Sequence, residues 1–160
     1  MTAAKPPAWW ANPALAGLAA SAYGFWCCRD LAAAWRFSPY DAGGWLVFLV
    51  WLLPLFVCRR SPDAGWLLAG LAILGLAGVT DLNVLAHLGL TAVLAACVRP
   101  VSTLWRWVWL AGAPAWMPGF GYVLDGWPAP AVFFLRILLV TATLPLLLTA
   151  FRQARKGKGQ

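Results

Sequence analysis

The stretch Ala64–Val98 reads AGWLLAGLAILGLAGVTDLNVLAHLGLTAVLAACV and carries one charged side chain, Asp81. Two apolar runs of 17 residues each, 64–80 and 82–98, flank that aspartate. A helix that crosses a bilayer needs roughly 20 apolar residues, with about 17 as the lower limit. Both runs therefore read as spanning helices joined by a tight turn. Asp81 and Asn83 suit that turn, because both residue types accept from the free N–H groups that open a helix. His87 lies deeper, one turn into the second helix.

The rest of the chain has the same character. Hydrophobic residues make up 62% and charged residues 11%. A soluble domain carries about 25% charged residues and about half apolar ones. All five acidic residues are aspartates. This composition predicts lipid as the surrounding medium. Four further apolar runs join the first two: 9–28, 43–58, 101–117 and 129–151. The predicted fold is all-α, a polytopic membrane bundle of six transmembrane helices. Residues 1–151 form a single transmembrane domain and 152–160 a basic cytoplasmic tail. The apolar run at the N-terminus leads into Cys28-Arg29-Asp30 rather than a small-residue cleavage site, so the first helix is expected to remain.

Lys and Arg in the connections set orientation. With the N-terminus inside, the cytoplasmic side holds Lys5, Arg59, Arg60, Arg99, Arg152, Arg155, Lys156 and Lys158, and the outer side Arg29 and Arg36. That bias places both termini in the cytoplasm and the chain in a bacterial inner membrane, multi-pass. Asp30, Asp41, Asp81 and Asp125 then face outward. Trp9, Trp10, Trp66 and Trp105 fall near the inner interface, and Trp26, Trp35, Trp45, Trp116 and Trp127 near the outer one. The net charge of +7 is dispersed along the chain. Nucleic-acid binding needs a clustered basic face and is excluded as a reading.

Small residues locate helix packing. Ala14, Gly17, Ser21 and Gly24 recur every three or four residues in the first run, and Gly65, Ala69, Ala72, Gly75 and Gly78 in the third. Such faces let helix backbones approach closely. The second run carries Trp45, Phe48, Trp51, Leu52, Leu55 and Phe56 and is predicted to face lipid. Prolines at 54, 114 and 145 each remove a backbone donor, which predicts kinks.

Ionisable residues at membrane depth suggest function by default. His87 and Arg136 are the deep ones, with Cys27 and Cys28 at a comparable level. A thiol–histidine couple from Cys27 or Cys28 with His87, near Arg136, would make a membrane-embedded cysteine enzyme. The competing reading is structural: a neutral histidine and an internally paired arginine. Arg106, near the inner interface, can snorkel. His87 and Cys97 lie ten residues apart, about 15 Å along one helix, and cannot form a pair there. No CxxC spacing, paired histidine or nucleotide-binding motif is present, so no metal and no cofactor is expected.

From Gly43 onward the chain resembles the N-terminal half of the exosortase/archaeosortase family. The similar stretches are GGWLVFLVWLLPLFVCRR, GWLLAGLAILGLAGVTDLNVLAHLGLTAVLAACV and APAWMPGF. Members of that family are multi-span proteins that process and sort secreted proteins bearing a C-terminal anchor. Their nucleophile is a Cys followed by a small residue and Gly, with an Arg and a His on further helices. Here Cys27, Cys28, Cys58 and Cys97 precede Cys, Arg, Arg and Val, so no catalytic residue carries over. The resemblance implies an exosortase-like protein, or an accessory of an exosortase sorting system. It would be non-catalytic and act by helix–helix contact with a membrane protein partner or as a homo-oligomer. The alternative is an accessory subunit of a respiratory or photosynthetic complex.

Overall fold

Asn12 opens the first helix by accepting the N–H of Ala14 at 3.0 Å, and Pro13 fills the first helical position, where its missing N–H costs nothing. A computed structural model describes residues 12–57, 61–98, 103–124, 126–142 and 145. Its α-helices are α1 (Pro13–Cys27), α2 (Asp30–Phe37), α3 (Gly44–Val57), α4 (Ala64–Thr80), α5 (Asn83–Ala96), α6 (Thr103–Ala111) and α7 (Ala129–Thr141). Two 3-10 turns, Ala113–Ala115 and Phe120–Leu124, link α6 to α7. The all-helical expectation holds among the described residues.

The membrane-spanning expectation does not. The longest helix, α4, has 17 residues, about 26 Å at 1.5 Å per residue, against a hydrocarbon core of about 30 Å. Among the described residues, no helix is long and apolar enough to cross a membrane. The cause is local. In the first run α1 has 15 residues, Pro13–Cys27, and the short α2 that follows is a separate helix. The fifth run leaves α-helical geometry after Ala111 for 3-10 turns. Asp81 adopts a left-handed conformation (φ 54°) that stops α4. The six-span topology, the charge-based orientation and the multi-pass inner-membrane location are therefore withdrawn. The tryptophan belts go with them, since Trp116 is fully buried in the core. Trp9, Trp10, the Trp105 ring, Asp125, Cys58 and the basic tail 152–160 lie outside the described residues.

Packing centres on the α4–α5 hairpin, with α1 laid across both. Gly24 of α1 allows that approach: a Cβ there would stand 2.9 Å from Leu90 Cδ1 of α5. Gly17 is likewise pressed against Pro62 and Cys97. The Ser21 hydroxyl donates to the carbonyl of Gly17 within α1, at 2.8 Å. On α4 the inward face is Gly70, Leu74 and Ala77. Gly70 meets Val93 and the carbonyl of Gly89, and Gly89 in turn meets Leu74. The expected packing face of α4 points the other way: Gly65, Ala69, Ala72 and Gly75 are all exposed.

α3 is not the lipid-facing helix predicted. Val47, Phe48, Trp51 and Leu52 are core residues, while Trp45, Leu49, Leu53 and Phe56 remain exposed. α3 continues through Pro54. Its tie to α6 is a reciprocal indole pair. Trp51 Nε1–H donates to the Trp109 carbonyl at 2.9 Å, and Trp109 Nε1–H donates to the Trp51 carbonyl at 2.7 Å. Their rings stack with centroids 4.2 Å apart. Each buried indole donor thereby finds a partner, and each ring covers the other.

Candidate functional site

Four polar side chains turn inward among the described residues, while many large apolar ones are exposed. The buried polar or charged group is Asp41, His87, Thr91 and Arg136. They form two separate arrangements, both anchored by aspartates.

The first joins α7 to the loop between α2 and α3. Ser38 starts that loop and its hydroxyl oxygen accepts the Asp41 N–H at 3.3 Å. Gly43 closes it with φ +79°, and Phe133 of α7 occupies the space a Cβ would need. Both facts require glycine at 43. Arg136 lies three residues after Phe133, on the same side of α7, and meets Asp41. Its Nη2 donates to Asp41 Oδ1 at 2.6 Å with both side chains buried. The Phe120 ring lies 5.5 Å from the guanidinium carbon. Nε and Nη1 of Arg136 have no partner among the described residues.

The second joins α5 to the start of α2. Asp30 opens α2, where a carboxylate also favours the positive end of the helix. Its Oδ2 accepts from His87 Nε2 at 3.1 Å. Thr91, one turn further on, donates its hydroxyl to the His87 carbonyl at 2.7 Å. The edge of Trp116 packs against the imidazole, 6.2 Å between centroids. Burial lowers the His87 pKa below its ordinary value, and Asp30 opposes that shift through its charge and hydrogen bond. The ring is therefore neutral near pH 7, with its Nε2 proton directed to the carboxylate.

Neither Cys27 nor Cys28 bonds to this histidine, whose side-chain partner is Asp30. Cys28 is buried at the α1–α2 junction, and desolvation, then Asp30, then Cys27 push its pKa up to about 12. A thiol held in its protonated form is a poor nucleophile. Asp30 is thus the shared neighbour of His87 and Cys28. Arg136 sits in the other arrangement with Asp41. Arg106 of α6 stacks over the Trp66 ring at 5.4 Å. Among the described residues, no group of three His, Cys, Asp or Glu side chains could hold a metal ion.

Sequence reasoning found His87 and Arg136 and missed their partners. Asp30 and Asp41 read as loop residues facing outward. The signal was the scarcity of acid: two inward polar groups, His87 and Arg136, in a chain of five carboxylates leave few possible partners. No family profile, curated protein or solved structure matches this chain.

Proposed function

We propose that the protein is non-catalytic and acts by helix–helix contact with a protein partner, through the outward face of α4. One observation carries this reading. Gly75 and Gly78 have open space where a Cβ would stand, and exposed Leu68, Leu76 and Val79 flank them. A glycine floor between apolar ridges admits a second helix at short range. Contiguous exposed apolar surface of this kind marks interaction sites.

The inward polar residues support the same reading. His87 and Arg136 are spent on aspartates that fasten α5 and α7 to α2 and its following loop, and Cys28 is held as a thiol. The resemblance to exosortases makes a sorting enzyme of that type the first partner to test.

The experiment is site-specific photo-crosslinking in the native host. A benzophenone amino acid at position 68, replacing exposed Leu68 on the rim of that face, is expected to give one adduct of defined mass. The same residue at the exposed position 61, off that face, is expected to give none. Adducts from neither position, or equal adducts from both, overturn the proposal.

A further inference from the structure

A cavity of about 210 Å³ opens between the C-terminal end of α1 and the α4–α5 turn. It has room for about seven water volumes, enough for a small metabolite or a lipid headgroup. Its walls include Tyr23, Trp26, Cys27, Arg29, Asp81 and Asn83. A phenol, a thiol, a guanidinium, a carboxylate and an amide thus share one cleft of a chain that is only 11% charged.

The charges are arranged in a specific way. Arg29 lies over the Trp26 ring, 5.7 Å to its centroid, which limits the directions the guanidinium can take. Asp81 is fixed by the left-handed turn at φ 54°. Both line the cavity, yet neither takes part in an ion pair among the described residues. Opposite charges that share a cleft without meeting leave an acceptor for cations and a donor for oxyanions facing the same space. Tyr23, Cys27 and Asn83 add uncharged polar residues to the same lining.

We propose that this cleft binds a small zwitterion, its oxyanion on Arg29 and its ammonium on Asp81. The oxyanion takes charge-assisted hydrogen bonds from the guanidinium, and the ammonium donates to the carboxylate. A molecule with one charge satisfies only one side and binds more weakly. The zwitterion comes either from a free metabolite or from the headgroup of a lipid. Gly78 borders both this cleft and the outward face of α4, and the two sites are tested by separate readouts.

Cys27 reports occupancy, because it is a free, partly exposed cysteine in the lining of the cleft. The probe is O-phosphoethanolamine, and the readout is the rate of N-ethylmaleimide labelling at Cys27, followed by peptide mass spectrometry. At about ten times its dissociation constant the probe is expected to slow labelling about tenfold. Ethylammonium and methyl phosphate are expected to protect far less. R29Q and D81N are each expected to weaken protection about tenfold, the scale of one lost charged hydrogen bond. Asparagine tolerates the left-handed conformation, so D81N keeps the turn; R29Q changes an exposed side chain. Vesicles of phosphatidylglycerol with and without phosphatidylethanolamine separate the sources. Protection by the soluble probe assigns a free metabolite. Protection only by vesicles containing phosphatidylethanolamine assigns a headgroup. The proposal is overturned if neither protects, if single-charge ions or pure phosphatidylglycerol vesicles protect equally, or if protection persists in both variants.

Discussion

Arg136 carries its charge into the core and meets Asp41 there. Removing one member of a buried pair leaves the other uncompensated, which costs about 3–5 kcal/mol. Asp41→Asn should therefore lower stability by about that amount in urea unfolding, and the double variant Asp41→Leu with Arg136→Met should recover most of it. A D41N variant as stable as the parent would show that the pair does not hold α7 in place. His87 gives a pH dependence of definite sign. Its folded-state pKa lies below the ordinary 6.5, so below that pH the unfolded chain binds more protons than the native one. Its stability contribution is full above pH 6.5 and is lost as pH falls toward the folded-state value. Thermal midpoints measured from pH 7.5 to 5 should fall, and His87→Gln should flatten the slope. These residues were visible in the sequence as rare ionisable groups in apolar runs. Their partners were not, because Asp30 and Asp41 reach inward through a helix break and a glycine-closed loop that hydropathy does not register.

At the scale of the element, α4 carries small residues on two faces, Gly70 and Ala77 inward and Gly65, Ala69, Ala72 and Gly75 outward. Gly70 lies against α5: a Cβ would stand 2.8 Å from the Val93 backbone nitrogen. Backbone cannot yield as a flexible side chain does, so Gly70→Ala should destabilise by about 1–3 kcal/mol. Gly75 meets nothing within 4 Å, and alanine there should stabilise by about 0.5–1 kcal/mol through helix propensity. Thermal denaturation of the two variants side by side checks both signs. The extent of α4 was legible: the apolar run 64–80 and the helix Ala64–Thr80 coincide. Its orientation was not. Gly65, Ala69, Ala72 and Gly75 recur at helical spacing as Gly70, Leu74 and Ala77 do, and α4 has no polar face to mark the outside. On α1 the competition was weaker, and Gly17 and Gly24 do pack inward. Lengths failed for a different reason. A hydropathy run counts residues regardless of the backbone, whereas the chain leaves α-helical geometry at Gly112, inside the run 101–117.

For the whole molecule, the amount of exposed apolar surface is the main physical fact. Leu18, Trp26, Phe37, Phe56, Leu68 and Val79 are all exposed, while Asp41, His87 and Arg136 are buried. Exposed apolar area drives association because covering it returns about 25 cal/mol per Å². The small-residue face of α4 is where another helix can come nearest. On the proposed reading, the inward side of that helix serves folding and the outward side serves contact. The direct measurement compares folding and association in one variant, Gly75→Leu. The account predicts an unfolding midpoint equal to or above the parent's, together with loss of the adduct formed through α4. A lowered midpoint, or association that survives the leucine, would contradict it.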